Sequence, residues 1–112
     1  MALKVRGIWC GSTEAGQTPE EVHAFVNRMA DAGFNLILPH MKGGDGRIYW
    51  PSKRFPEAVA PGYENFDFPR HFIDACRARG IQMHAWFMDF FDGETGPAYA
   101  AHPEWAMRNA EG

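Results

Sequence analysis

The sequence predicts an α/β fold in which parallel βαβ units form about the first three units of a (β/α)8 TIM barrel. β-prone and amphipathic segments alternate along the chain as strand, helix, strand, helix, strand, which is typical of βαβ units on a parallel sheet. The second strand is almost continuously apolar, as strands covered on both faces are. The long segments rich in aromatic and polar residues follow strands, where barrels build their sites.

The first strand and helix have clear signals. The run "LKVRGIWC", residues 3–10, is β-prone, and residues 11–17 predict a polar turn. Thr18 is then expected to cap a helix, with Pro19 at its first position and Glu21 completing a capping box. The spacing i, i+3, i+4, i+7 gives this helix one apolar face. That face consists of Val22, Phe25, Val26 and Met29.

The second βα unit repeats this pattern. The stretch "FNLILP", residues 34–39, predicts a strand, and Asp67 is expected to cap the second helix with Pro69 in its first turn. Gly33 and Gly80 are expected to end the two helices. The second helix places four residues on one apolar face: Pro69, Phe72, Ile73 and Cys76.

A third strand is predicted over residues 80–91, "GIQMHAWFMDFF". Its side chains alternate between two faces, with Gln82, His84 and Trp86 on one and Ile81, Met83, Ala85 and Phe87 on the other. The second set is expected to pack on helices, so the first should face the barrel interior. Residues 40–65 and 92–101 are expected to be loops, and residues 102–112 at most a short helical turn.

Composition excludes several classes of protein. A net charge of -3 without a run of Lys and Arg argues against a nucleic-acid partner. Cys10 and Cys76 do not make a disulfide framework and are expected to be reduced and buried. The sequence contains neither a signal-peptide core nor a membrane span. We therefore expect no membrane partner, and a cytoplasmic location by default.

Cofactor motifs are missing as well. A dinucleotide-binding fold requires Gly-x-Gly-x-x-Gly after the first strand, and "IWCGSTEAGQ" does not provide it. "GGDG", residues 43–46, predicts a turn, since no Gly-Lys-Ser/Thr follows. His40, His84 and His102 lack metal-ligand spacing. We therefore expect no cofactor and no metal.

Length suggests an incomplete domain. A (β/α)8 barrel typically takes about 250 residues, whereas 112 residues suffice for about three of the eight units. Residues 1–112 are therefore predicted to be the N-terminal part of one barrel domain. Three parallel strands alone would leave open edges, so self-association through the exposed sheet edges is an alternative.

Candidate ligand-binding residues lie at the downstream ends of the strands. Aromatic rings interleaved with hydrogen-bonding groups suit carbohydrate, because sugars present apolar ring faces between hydroxyls. The candidate set is Trp9, His40, Lys42, Tyr49, Ser52, His84 and Trp86. The alternatives stay open: His84 as a hydrogen-bonded core residue, Trp9 and Trp86 as core plugs, and Tyr49 with Trp50 as a hairpin that caps the barrel.

Acidic residues in the loops do not identify a catalytic pair. Glycoside hydrolysis needs two carboxylates about 5–9.5 Å apart, and spacing in the sequence cannot establish such a pair. Asp89 is the candidate closest to a strand end.

Five stretches together resemble a known family: "RGIW", "GFNLILP", "IYWPS", "FDFPRHFIDACRARGIQMHAWF" and "HPEWAMRNAEG". In order and spacing they are similar to the N-terminal part of the glycosyl-hydrolase-like barrel proteins related to family 10 glycosidases. The resemblance implies a glycosidase-like (β/α)8 domain whose acid/base and nucleophile come from the fourth and seventh strands, which would lie beyond Gly112. It also implies that six residues contact substrate or support the mouth of the barrel: Trp9, His40, Tyr49, Ser52, His84 and Trp86.

The leading hypothesis is thus that the chain is part of a carbohydrate-active hydrolase that binds an oligosaccharide or polysaccharide. The 112-residue chain alone is expected to be inactive. Two rivals remain, a non-catalytic carbohydrate-binding or self-assembling βαβ module, and a barrel enzyme of other chemistry.

Overall fold

The computed structural model describes residues 4–112, so Leu3 of the predicted first strand lies outside the described residues. The strands are β1 (Gly7–Cys10), β2 (Leu36–Lys42), β3 (Gln82–Met83) and β4 (Trp86–Phe87). The helices are α1 (Ser12–Ala15), α2 (Pro19–Asp31), α3 (Phe68–Ala78) and α4 (Pro97–Ala101), with 3-10 turns at Pro56–Ala58 and Pro103–Trp105.

The sheet is parallel and follows chain order. Strand β2 lies in the centre, with β1 on one side and β3 followed by β4 on the other. Gly7 is in register with Leu36, and Leu36 is in register with Gln82. The predicted α/β class with a parallel sheet is therefore confirmed.

The predicted single third strand is wrong in detail, and Pro39 explains why. In a strand of a parallel sheet, the N–H and C=O groups of one residue point towards the same neighbouring strand, and every second residue points towards that same neighbour. The carbonyl of Ile37 accepts the N–H of His84 at 3.0 Å, so Pro39 faces the same neighbour but has no N–H to donate. The ladder is interrupted there, and the predicted strand over 80–91 becomes two short strands, β3 and β4.

Helix α2 begins where the sequence predicts, but its capping box is incomplete. The hydroxyl of Thr18 accepts the N–H of Glu21 at 3.2 Å. The carboxylate of Glu21 accepts the N–H of Gln17 at 2.8 Å rather than that of Thr18. The expected turn before α2 also contains α1, because the carboxylate of Glu14 accepts the N–H of Gly11 at 2.8 Å and starts a helical turn.

Helix α3 matches its prediction closely. The carboxylate of Asp67 accepts the N–H of Arg70 at 3.1 Å, which caps the first turn. Both long helices end at a glycine with positive φ, 91° at Gly33 and 65° at Gly80, a conformation that costs other residues energy. In α2 and α3 the predicted apolar positions Val22, Phe25, Val26, Phe72 and Cys76 are buried.

The region expected to be a loop over 40–65 is more ordered than predicted. Strand β2 continues through His40 to Lys42, and residues 43–46 form the predicted turn. Lys42 then pairs antiparallel with Ile48, and Ile48 pairs in parallel with Val59. The segment returns to the core, where the side chain of Tyr63 is fully buried.

The core lies on one side of the sheet. Helices α2 and α3 pack together, with the Phe25 and Phe72 ring centroids 6.3 Å apart. Along β2, Ile37, Pro39 and Met41 are buried, while the residues between them are half-buried. The second face of the sheet is therefore less covered, and it carries the candidate site.

Candidate functional site

Three aromatic side chains meet on the less covered face, near the carboxyl ends of the strands. The rings of His40 and Trp86 stack, with centroids 4.2 Å apart and planes inclined by 22°. Trp9 lies beside them, its ring centroid 6.4 Å from that of Trp86, and 66% of Trp9 is exposed. Three residues that the sequence predicts as ligand contacts are thus adjacent. We call Trp9, His40 and Trp86 the aromatic cluster.

Sheet register explains why the aromatic cluster forms. His40 is in register with Trp86, so the two side chains leave the same face of adjacent strands. The side chain of Trp9, which is in register with Leu38, leaves that face from the strand on the other side. Three strands therefore each contribute one ring.

One polar atom of the aromatic cluster is unpaired. Within the described residues, Nε2 of His40 is buried and has no hydrogen-bond partner. The backbone carbonyl of His40 accepts the hydroxyl of buried Ser12, which fixes the strand at this point. A buried polar atom without a partner is energetically costly, and because Nε2 has almost no accessible surface, a ligand reaches it only after the neighbouring side chains move.

His84 and Asp89 stand apart from the aromatic cluster. Gln82 of β3 is in register with Leu36, and Trp86 of β4 is in register with His40, so the register against β2 is the same at both positions. His84 therefore lies on the same face as Gln82 and Trp86, as predicted. Its side chain is exposed, as is that of Asp89.

Tyr49 and Ser52 have roles in the connection after β2. Tyr49 packs edge-on against Tyr63, with centroids 5.2 Å apart, and its ring lies 6.4 Å from that of His40. The hydroxyl of Ser52 accepts the N–H of Phe55 at 3.0 Å. Tyr49 thus borders the aromatic cluster, whereas Ser52 shapes a turn. The antiparallel pairing of Lys42 with Ile48 places a short hairpin directly before Tyr49 and Trp50.

Lys42 is engaged within the protein. Its ammonium group donates to the carbonyls of Met88 and Phe91, each at 2.9 Å, and lies 3.6 Å from a carboxylate oxygen of Asp92. The sequence did not single out Asp92 among the loop carboxylates. The feature of the sequence that could have pointed to Asp92 is the glycine at positions 46 and 96, because a Cβ on Gly46 or Gly96 would collide with Asp92.

The "HPEW" element forms a local stack at the surface. The rings of His102 and Trp105 lie 3.8 Å apart and are inclined by 9°. Nδ1 of His102 lies 3.0 Å from the carboxylate of Glu104. Hydrogen bonds from its own backbone N–H and from His102 lower the pKa of Glu104. The helical turn predicted for this element is confirmed as a 3-10 turn.

An open cleft with a volume of about 430 Å³ lies elsewhere, between α1 and α2. Glu14, Gln17 and Glu21 line it, and both carboxylates accept backbone N–H groups there. The cleft is thus bordered by groups that cap helices. The aromatic cluster, which presents exposed rings near the carboxyl ends of the strands, is the better candidate site.

Both cysteines are free and buried, as the sequence predicts. Burial, with smaller contributions from the nearby Glu14 and Cys76, raises the pKa of Cys10 to about 12. Burial also raises the pKa of Cys76 to about 11. A thiol is nucleophilic as the thiolate, so neither residue is prepared for catalysis.

We expect both thiols to resist modification at pH 8 in the folded chain. At a pKa of about 12, about one Cys10 thiol in ten thousand is ionised at this pH. Ellman's reagent should detect almost no thiol in the native protein and both cysteines after denaturation in guanidinium chloride. A native thiol that reacts as fast as free cysteine would contradict this burial.

Within residues 4–112, no three His, Cys, Asp or Glu side chains are grouped so that they could hold a metal ion. Among the helices of the same range, none has both the length and the apolar character needed to cross a membrane.

Comparison with known proteins does not assign a family. No protein-family model matches the chain, and no curated protein matches it significantly.

Proposed function

We propose that residues 1–112 are the first units of a glycosidase-like (β/α)8 barrel, and that the aromatic cluster forms part of its carbohydrate-binding surface. The observation that carries this proposal is the position of the cluster. Trp9, His40 and Trp86 lie near the carboxyl ends of three parallel strand segments, the end of a barrel sheet where ligands bind.

The chemistry of the aromatic cluster suits a sugar ring. The exposed indole of Trp9 offers a flat apolar surface to the C–H groups of a sugar ring. The His40 ring is already held by stacking on Trp86, so binding costs little ordering of the site. Neutral oligosaccharide is therefore the class of ligand that we propose.

The arrangement of the sheet supports the barrel part of the proposal. Strands in chain order with both long helices packed together are compatible with a barrel and with one half of a dinucleotide-binding fold. The segment after β1 lacks the glycine pattern of the latter. The half-covered second face, with exposed Gln82 and His84, agrees better with the polar mouth of a barrel than with a sheet buried on both faces.

Indole NMR resonances provide the test, with neutral gluco-, xylo-, manno- and chito-oligosaccharides as probes. We expect one class of oligosaccharide to shift the Trp9 and Trp86 indole signals and to leave that of Trp50 unchanged, because Trp50 packs against the core. Single Trp→Phe variants assign the four signals. Shifts confined to Trp105, or no shift with any probe, would refute the proposed site.

Exposed aromatic residues beyond β4 favour a second candidate, a self-associating module. Phe90 is 99% exposed and Phe91 61% exposed, next to strand segments that are short and have an open edge. Sedimentation of the same samples separates the two functions. A discrete dimer that binds oligosaccharide would support the module, whereas a monomer that binds it would support the barrel segment.

A further inference from the structure

Oxygen atoms surround the ammonium group of Lys42 at the end of β2. The carbonyl oxygens of Met88 and Phe91 each lie 2.9 Å from it, and a carboxylate oxygen of Asp92 lies at 3.6 Å. An ammonium group has three N–H donors, and these three oxygens are its partners. About 20% of the Lys42 side chain is exposed, so the charge is partly withdrawn from water.

Asp92 is itself held in place. Its second carboxylate oxygen accepts the N–H of Tyr99 at 3.0 Å, close to the start of α4. Gly46 and Gly96 approach this side chain so closely that neither could carry a Cβ. The oxygens around Lys42 thus connect the turn over 43–46, the segment after β4 and the start of α4.

We propose that Met88, Phe91 and Asp92 form a site for a small monovalent cation, which the ammonium group of Lys42 occupies, and that this internal cation holds residues 88–99 in place. Two neutral carbonyls and one carboxylate carry a single negative charge, which a single positive charge balances. Backbone carbonyls also bind potassium, a monovalent cation, by replacing its hydration shell. The inference does not depend on carbohydrate binding, since none of these residues belongs to the aromatic cluster.

The consequence is that a free cation can replace the lysine. Lys42→Ala removes the ammonium group and the side chain beyond Cβ, which leaves room for an ammonium ion where Nζ was. Hydrogen–deuterium exchange over residues 88–101 should become about tenfold to a hundredfold faster, the factor expected on losing charge-assisted hydrogen bonds. Ammonium chloride should restore slow exchange, and tetramethylammonium chloride at equal ionic strength should not.

Two further variants make the test specific. Lys53→Ala removes a lysine whose side chain is exposed, and it should leave exchange over residues 88–101 unchanged in either salt. Adding Asp92→Asn to Lys42→Ala removes the negative charge of the site, so ammonium chloride should no longer restore slow exchange. Unchanged exchange in Lys42→Ala, or equal recovery in both salts, would overturn the proposal.

The test also works if Lys42→Ala unfolds in the absence of salt. Far-UV circular dichroism would then report refolding as each salt is added. Recovery of the native spectrum in ammonium chloride but not in tetramethylammonium chloride supports the site. Recovery in both salts, or in neither, overturns it.

Discussion

Replacing Phe72 with alanine is expected to lower the free energy of unfolding by about 3–5 kcal/mol, the range for removing a buried phenylalanine from a core. Phe72 is fully buried in α3. Its ring lies 5.4 Å from that of Phe68 and 6.3 Å from that of Phe25, measured between centroids. The truncation therefore leaves a cavity between the two long helices, and the surrounding rings cannot close it without leaving their rotamers.

This loss is a large fraction of the total free energy of unfolding of a small domain. Small domains have total stabilities of about 5–15 kcal/mol, so Phe72→Ala removes a substantial part of whatever stability the chain has. Urea denaturation followed by circular dichroism measures the change. Phe72→Leu, which retains most of the volume, should cost much less.

Phe55→Ala is the matched control, because Phe55 is 52% exposed. Its loss should remain near 0.5 kcal/mol, as for most surface substitutions. A Phe72→Ala variant within 1 kcal/mol of the parent chain would mean that α2 and α3 do not pack as described.

Local signals in the sequence were enough to predict the two long helices. Thr18 and Asp67 accept the backbone N–H groups expected of N-caps, and Gly33 and Gly80 have the positive φ angles expected at helix ends. These features depend on a few neighbouring residues. They can therefore be predicted without knowledge of the tertiary structure.

The strands were predicted less accurately because their ends depend on their neighbours. Pro39 was assigned to a buried strand, but its effect falls on the next strand, where the missing N–H interrupts the pairing between Met83 and Trp86. The same dependence explains Lys42, which was expected in a loop and instead ends β2. Its partners Met88 and Phe91 lie more than forty positions away along the chain.

The aromatic cluster was predicted only in part. Alternation placed Trp86 on the less covered face, and the position of Trp9 and His40 at strand ends made them candidates. The stacking of His40 on Trp86 follows from sheet register, which the sequence does not specify. Ser52 was included because of the chemistry of its loop and the resemblance of that loop to the family, and in the structure its hydroxyl accepts the N–H of Phe55.

Trp86→Ala is expected to weaken oligosaccharide binding by about tenfold to thirtyfold, the factor that corresponds to about 1.4–2 kcal/mol for a central aromatic contact. The substitution removes the ring that holds His40 in place and the neighbour of Trp9. Isothermal titration calorimetry with the oligosaccharide identified by NMR measures the change in Kd.

Phe87→Ala provides a matched control on the same strand. Its ring contacts Trp50, with centroids 6.0 Å apart, and is not part of the aromatic cluster. Phe87→Ala should lower stability while Kd stays within about twofold of the parent value, because the rings that meet the sugar are unchanged. If both variants lose stability and neither changes Kd, Trp86 serves the core, and the carbohydrate surface must lie elsewhere on the chain.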